Sequence, residues 1–398
     1  MPTSEYQGSS VPLSFLGRSI LSFRRNQIIS MEGTQEQELE ELELFQKHVA
    51  DRFTGLLSSR PSSDGIDNIL SIAWLRKLLD TFLCCEAEFK AVLIHGHNPQ
   101  IAKPPLNRLI SEFLDRDVKA LDICNAISNG VESIRQWQKS AEIAIFALGQ
   151  KPLGEGQVRR AKKALNSLVA SITSEDKESN GNTSTERAWS FGRRSGALIK
   201  ERSSGHLRSL SPSVSRNWSA SKQIQAMSGN LVAPRGGGES SGLASPVYVM
   251  SNVLVFVLWA LVAAIPCQER GSLATHLPVP RQLAWAGPVI GLQERIAEEW
   301  KKKEKKGSAG LLEEIQRLER CGQSLIELAD SFQFPPEAKW VAEMEVQVAE
   351  LSENCRKIEE GLVPLQRQVR EVFHRITKSR TEVLDILDQA GKPSTPVL

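Results

Sequence analysis

The sequence predicts an all-α protein that consists of helical bundles with long amphipathic helices, a disordered central segment and one long hydrophobic helix. Three observations support this fold class. Apolar residues recur every three or four positions over two long stretches, a serine- and arginine-rich stretch separates these two, and an uncharged apolar run follows it. In addition, no stretch alternates apolar and polar residues for long enough to predict a strand.

The composition is that of an ordinary globular protein. The 398 residues are 40% apolar and 24% charged, which is enough for two or three structural units. The net charge of +2 indicates no nucleic-acid partner. Six cysteines without a CxxC spacing are typical of reduced, buried thiols in a cytosol-facing protein. The first long apolar run begins at residue 247, so we expect a cytosolic, membrane-associated protein that is not secreted.

The N-terminal segment, residues 1–33, is basic, and we expect it to be partly disordered. Residues 7–31 contain no acidic side chain, and Leu13, Leu16 and Ile20 recur at helical spacing. Such an amphipathic element is suited to the surface of an anionic membrane. The alternative is a tail whose apolar residues dock on the folded body.

The next segment, residues 34–173, is predicted to form an N-terminal antiparallel helical bundle with short loops. Its apolar residues fall on one face of each of several successive helices. These helices are predicted over about 34–56, 70–95, 103–128, 131–148 and 156–172.

Residues 174–245 are predicted to be a disordered linker rich in serine and arginine. Between residues 187 and 238, nine Lys or Arg and eleven serines stand against a single glutamate, and few aliphatic residues offset the entropy of ordering. Ser190, Ser195 and Ser211 follow arginines in a way that suits basophilic kinases. We expect phosphorylation there to release an electrostatic contact with an anionic membrane or an acidic partner.

Residues 246–266 are predicted to form the long hydrophobic helix. The run 247–265 is uncharged for 19 residues, and as a helix it would measure about 28 Å, close to the thickness of one hydrocarbon core. Two interpretations stay open. Either Val247 and Ile265 delimit a transmembrane segment that contains Trp259, or the run is a core helix packed by both halves of the chain. The flanking charges give no orientation.

Residues 267–390 are predicted to form a C-terminal helical region, followed by a tail at 391–398. Apolar residues between 344 and 376 alternate steps of four and three, which is the heptad pattern of a coiled coil. Pro364 predicts a kink or a division into two helices. The pattern indicates a possible partner-binding face. The alternatives are packing within the molecule, which is favoured, and a homodimeric coiled coil. The residues of this heptad face are Met344, Leu351, Ile358 and Leu365.

Motifs of catalytic, cofactor and metal sites are missing from the sequence. P-loop, GxGxxG, HExxH and GxSxG patterns do not occur. His95 and His97 lack the further ligands that a metal site needs. Acidic residues such as Asp115 and Asp117 lie in amphipathic patterns that solvent exposure explains. We therefore expect a non-enzymatic protein with no cofactor.

Several stretches resemble a known family. The stretches are 13–18 (Leu-Ser-Phe-Leu-Gly-Arg), the run Lys-Pro-Pro-Leu-Asn-Arg-Leu-Ile that continues over 103–126, the serine-rich 209–223 and the apolar 253–267. They resemble the plant ROH/BYPASS-related proteins over nearly the whole chain, and 103–126 is the most specific of them.

The resemblance implies a non-enzymatic plant protein. ROH-type members are linked to an exocyst subunit of the seventy-kilodalton class, and so to polarised exocytosis and the deposition of cell-wall polysaccharides such as pectin and mucilage. BYPASS-type members are linked to control of a root-derived mobile growth signal. The ROH branch is more similar, because the long apolar segment and the C-terminal helices are complete. Neither branch implies a catalytic residue.

Overall fold

A computed structural model of the chain describes residues 31–58, 68–94, 101, 103–174, 218–233, 242–267, 273–304 and 310–390. Within these ranges the backbone forms nine helices and no strand, so the all-α prediction is confirmed. The helices are α1 (Met31–Ser58), α2 (Ile72–Ile94), α3 (Leu106–Leu148), α4 (Glu155–Ser174), α5 (Ala220–Gly229), α6 (Ala244–Ala264), α7 (Ala286–Glu304), α8 (Glu313–Asp330) and α9 (Ala338–Ala390).

One hydrophobic core joins the N-terminal and C-terminal halves of the chain. α9 packs along α3 and also contacts α2 and α8, while α4 packs against α3 and α8. The pairing of α3 with α9 is antiparallel, because Arg135 bonds to Gln366 whereas Arg380, farther along α9, bonds to the carbonyl of Leu114. The predicted segments 34–173 and 267–390 therefore form one body and not two bundles.

α3 is a single helix of 43 residues, where the sequence predicted two helices. Gly130 lies inside it, near the predicted division. A Cβ atom at this position would lie 2.1 Å from the carbonyl oxygen of Pro266, just after the end of α6. The glycine is thus explained by a close approach of the backbone and does not mark a helix end.

α9 also continues where the sequence predicted a kink or a division. It is one helix of 53 residues with Pro364 inside it. A proline has no N–H to donate to the carbonyl four residues before it, which weakens that turn. However, Leu362 and Leu365 on either side are fully buried against the neighbouring helices, and this packing holds both turns in place.

α6 is the central helix of the body. All its residues except Ser245 are buried, including Val247 and Trp259, and Ile265 directly after it is buried too. α6 contacts α1, α2, α3 and α5. In this structure α6 is therefore a buried core helix, which is one of the two interpretations that the sequence left open. By length and composition alone the same helix is long and apolar enough to cross a membrane.

The polar side chains of α6 are satisfied within the body. Asn252 donates a hydrogen bond to the carbonyl of Tyr248, four residues earlier, at 2.8 Å. The indole N–H of Trp259 donates to the carbonyl of Ala274 at 2.8 Å. An internal partner removes most of the cost of burying each of these groups.

The segment 174–245 differs in part from the predicted linker. It contains α5, and α6 already begins at Ala244. Ile224 and Met227 are buried one helical turn apart, which provides α5 with an apolar face. The composition of the whole segment conceals this helix, because so short an element contributes little to an average over the segment. Residues 175–217 and 234–241 lie outside the described residues.

Candidate functional site

The heptad face of α9 lies inside the molecule. Met344, Leu351, Ile358 and Leu365 are all at most 5% exposed, because α9 packs this face against α8, α3 and α2. The heptad face therefore packs against other helices of the same molecule, which was the favoured of the alternatives in the sequence analysis. In this conformation the face is not available to a partner, since the neighbouring helices would have to be displaced first.

A buried carboxylate joins the beginnings of two helices. Glu314, in the first turn of α8, accepts hydrogen bonds from the N–H of Ile72, the first residue of α2, at 3.1 and 3.2 Å to its two oxygens. Asn354 of α9 donates to the Glu314 carbonyl at 2.9 Å. Burial raises the pKa of the Glu314 carboxyl to about 7. These contacts define the Glu314 junction.

Backbone hydrogen bonds extend the Glu314 junction to α6. The N–H groups of Leu311 and Leu312 donate to the last two carbonyls of α6 at 3.1 Å each, and the N–H of Glu313 donates to the carbonyl of Leu70 at 3.1 Å. Leu70 is buried with φ of 65°, which is unusual for a leucine. The junction thus supplies partners to helix ends that have none within their own helix, and its role is structural.

A second buried charge cluster lies between α2, α3 and α9. Glu86 accepts a hydrogen bond from Ser379 and lies 3.5 Å from Nη1 of Arg375. Nearby, burial raises the pKa of the Asp117 carboxyl well above its ordinary range, while the charge of Arg380 opposes this shift. The sequence had explained Asp117 by solvent exposure. The structure corrects this, because Asp117 is on the face of α3 that packs inside the body.

The cavity beside this cluster is too small to hold a substrate. It has about 20 Å³ of free volume, room for one or two water molecules. Apolar side chains form most of its wall, with Glu86 and Asp117 among them. Ligand pockets are typically larger by more than tenfold, so the cluster holds helices together and does not enclose a reaction.

A groove between α8 and α9 is more open and polar. Arg317 and Arg320 line it together with Glu350. Arg317 is paired with Glu313 at 2.5 Å. Burial raises the pKa of the Cys321 thiol in the groove to about 11, and the carboxylate of Glu350 adds to the effect. Carboxylates therefore balance the two guanidinium groups, and the groove offers no clear preference for an anion.

α5 packs on α3 and α6, and a hydrogen-bonding side chain lies at each of its ends. At its C-terminal end the buried guanidinium of Arg116 donates to the carbonyls of Met227 and Asn230, at 3.4 and 3.0 Å. At its N-terminal end Ser219 accepts a hydrogen bond from the N–H of Lys222 at 3.3 Å. The sequence analysis missed this element, although a serine placed to cap the first turn of a helix is a recognisable signal.

Four exposed large apolar side chains lie at one end of the body. Lys151, just after α3, pairs with Glu345 near the start of α9 at 3.3 Å, and Lys162 near the start of α4 pairs with Asp330 at the end of α8. These helix ends therefore lie at the same end of the body. Phe334 and Val346 are about two-thirds exposed, and Phe146 is 63% exposed. We call this surface the apolar end. Its residues are Ile143, Phe146, Phe334 and Val346.

Several predicted site residues lie outside the described residues. They are the serines Ser190, Ser195 and Ser211 of the basic segment. His95 and His97, which the sequence analysis did not assign to a metal site, also lie outside the described residues. Within the described part of the chain, no group of three or more His, Cys, Asp or Glu side chains could hold a metal ion. The six cysteines, all of which lie in described ranges, form no disulfide; five of them are buried and Cys84 is half-buried.

Comparison with known proteins covers almost the whole chain. The model of a family described as "Protein ROH1-like" matches residues 1–387. The chain is 55% identical to Protein ROH1A of Arabidopsis thaliana over 100% of both chains. It is 47% identical to Protein ROH1D of the same plant, over 97% of this chain and 98% of the relative.

More distant similarity extends to rice. UPF0496 protein 4 of Oryza sativa subsp. japonica is 22% identical over 69% of this chain and 52% of that protein. No solved structure matches the chain significantly. The family match spans α1 to α8, the segments between them and α9 as far as residue 387, and the match to Protein ROH1A spans the whole chain. The chain therefore belongs to the ROH1-like family and is a plant ROH1-related protein.

Proposed function

We propose that this protein is a non-enzymatic plant adaptor that binds an exocyst subunit of the seventy-kilodalton class and modulates polarised exocytosis. Through exocytosis it would affect the deposition of cell-wall polysaccharide such as pectin or mucilage. Membership of the ROH1-like family supports the proposal, together with the resemblance of the sequence to the ROH branch, whose members are linked to that subunit.

The apolar end is the observation that carries the proposal. Phe146, Phe334 and Val346 expose well over half of their side chains at the same end of the body, and large exposed apolar groups are typical of protein-binding surfaces. The heptad face is buried, so a partner that binds the intact body needs another surface. A helical subunit can accept such side chains by helix-in-groove packing.

The surroundings of the buried ionisable groups support a non-enzymatic role. Glu314 accepts backbone N–H groups, and Glu86 is bonded to a hydroxyl and lies near a guanidinium. Among the described residues these groups stabilise contacts between helices and do not converge on a cavity of substrate size.

The binding test uses the full-length protein and a purified exocyst subunit of the seventy-kilodalton class. Replacing Phe146 and Val346 together by Glu is expected to weaken the Kd roughly tenfold or more, since charged groups replace apolar anchors. The matched control is Val363→Glu, which adds a charge at a 52% exposed position in the middle of α9. Biolayer interferometry measures both, and thermal melting confirms that the variants fold.

Two results would contradict the proposal. The unmodified protein could show no affinity for the subunit, which would refute the adaptor role itself. Alternatively, both variants could bind as tightly as the unmodified protein, which would refute the apolar end as the binding surface.

A second candidate is the BYPASS-type role, a membrane-associated regulator of a root-derived mobile growth signal. This role requires membrane association, and α6 has the length and composition of a membrane span. Under this proposal the protein divides between cytosol and membrane and is not secreted. Sedimentation of the protein with membranes from cells that lack the exocyst subunit would favour this role over the adaptor role.

A further inference from the structure

α5 is attached to the body by a small set of contacts. It has ten residues, and the segments on either side of it, 175–217 and 234–241, lie outside the described residues. The buried guanidinium of Arg116 holds its C-terminal end through the carbonyls of Met227 and Asn230. The buried residues of the helix are Ala220, Ser221, Ile224 and Met227.

The serine at the other end of α5 is completely buried. Ser219 is 0% exposed. Its Oγ accepts the N–H of Lys222 at 3.3 Å and lies 3.2 Å from Oγ of Ser221. This hydroxyl is therefore both the N-terminal cap of α5 and part of the surface that packs on the body.

The sequence around this cap has the spacing that basophilic kinases recognise. Arg216 precedes Ser219 by three residues in Arg-Asn-Trp-Ser, the same Arg-x-x-Ser spacing that precedes Ser190 and Ser211. The motif alone is common. Here it coincides with a buried cap at the end of a short helix that few contacts hold in place.

We propose that Ser219 is a phosphorylation site, and that its phosphate releases α5 from α3 and α6. In the reaction Oγ of Ser219 bonds to the γ-phosphorus of ATP, and the bond from that phosphorus to the β–γ bridging oxygen breaks. ADP leaves, and the hydroxyl proton passes to the carboxylate base of an Arg-x-x-Ser-directed kinase. The proposal stands independently of exocyst binding.

Docked α5 has no room for a phosphate at this position. The modified side chain would carry close to two negative charges and three acceptor oxygens into a site with no access to water. Arg116, the cation that α3 contributes to the docking of α5, lies at the opposite end of the helix, about 15 Å away along its axis. In solvent the same phosphate favours a helix N-terminus, so α5 leaves the body without losing its tendency to form a helix.

Burial of Ser219 also sets how fast a kinase modifies it. The hydroxyl is reachable only while α5 is undocked, so modification depends on the population of that state. Ile224→Ala removes an apolar anchor of α5 and is expected to speed modification of Ser219. Arg116→Met removes both hydrogen bonds at the other end and is expected to do the same.

The test treats the full-length protein with ATP and an Arg-x-x-Ser-directed kinase. Mass spectrometry locates the phosphate, and hydrogen exchange follows peptides from 218–233 and from α6. We expect a phosphate on Ser219 and exchange in 218–233 that is roughly tenfold faster or more, with additional exchange in α6. Ser219→Glu should reproduce part of the increase. The matched control is Gln225→Glu, which adds the same charge at an exposed position of α5.

Three outcomes would overturn the proposal. The kinase could modify Ser190 or Ser211 and leave Ser219 free even in Ile224→Ala, so that Ser219 is no acceptor. The Ser219 phosphate could leave exchange in 218–233 unchanged. Finally, Gln225→Glu could accelerate exchange as much as Ser219→Glu, in which case the added charge acts wherever it lies on the helix.

Discussion

Single residues in this protein depend on segments that are far away in the sequence. Gly130 is in the middle of α3 because the carbonyl of Pro266 passes against it. Glu314 is ordinary in a first helical turn, yet it also binds the N–H of Ile72, 242 residues away. In both cases a local property of the residue, a missing side chain or a carboxylate, serves a contact between distant parts of the chain.

Gly130→Ala is expected to destabilise the protein by about 2–3 kcal/mol, because the new methyl group would overlap the backbone of Pro266 and force it to shift. Gly156→Ala in α4 is the control. Its Cβ meets nothing within 4 Å, so helix propensity should raise the free energy of unfolding by about 0.5–1 kcal/mol. Urea denaturation measures both. Equal effects of the two substitutions would show that the close approach does not matter.

Glu314→Gln is expected to change how stability depends on pH. Burial raises the pKa of the Glu314 carboxyl from 4.5 to about 7, so the folded state favours the protonated form. The stability contributed by this group is complete below pH 4.5 and is lost as the pH rises through 7. Glutamine keeps an acceptor for Ile72 and does not titrate.

Between about pH 4.5 and 8, the Glu314→Gln variant should therefore gain stability relative to the unmodified protein by on the order of 3 kcal/mol. Urea unfolding at a series of pH values measures this difference. If the free energies of unfolding of the variant and of the unmodified protein changed with pH in the same way over the whole range, the assignment of the pKa shift to Glu314 would be refuted.

At the scale of elements, the long helices show how packing overrides local signals. The sequence predicted a division near residue 130 and another at Pro364, and neither is present in α3 or α9. α3 and α9 pack on each other in antiparallel orientation over much of their length. A continuous helix buries more of its apolar face in such a pair than two shorter helices would. α5 shows the opposite case, because a short helix forms where composition indicated none.

Pro364→Ala is expected to stabilise the protein by about 1 kcal/mol. Alanine restores the N–H that can donate within α9 and removes the clash of the proline ring with the preceding turn. The gain should be smaller than the full helix propensity difference, since the neighbouring leucines already hold the turn. Thermal and urea denaturation measure it. A lower free energy of unfolding would show that the body is adapted to a bend at Pro364.

At the scale of the whole molecule, α6 determines the architecture. It is enclosed by α1, α2, α3 and α5, and its last two carbonyls accept hydrogen bonds from the segment before α8. The N-terminal and C-terminal helices also pack on each other directly, α9 against α3 and α2, and α6 fills the centre of the core that they share. Its composition is therefore explained by burial on all sides.

Because α6 is buried within the protein, alkaline carbonate treatment of plant membranes is expected to release the protein into the supernatant. An integral protein of the same membranes, retained in the pellet, is the control. A transmembrane α6 would keep the protein in the pellet after treatment. That result would mean that the body opens and that α6 leaves the core.

Much of the fold was predictable because amphipathic spacing is a local property. The helices, the heptad pattern and the basic character of the central segment all follow from the order of residues along the chain. The family was also recognisable from stretches such as 103–126. For the candidate sites, the spacing of arginine and serine identified Ser190 and Ser211. It did not show that Ser219 is buried at the N-terminus of α5, where this helix packs on the body.

By itself, the sequence determined most of the helical segments and which of their faces are apolar. Only the tertiary structure decided what covers those faces. An uncharged run such as 247–265 satisfies a bilayer and a protein core equally well, and a heptad face suits another molecule as well as a neighbouring helix. The choice depends on contacts between residues more than two hundred positions apart, such as Ile72 with Glu314, and no local pattern encodes such contacts.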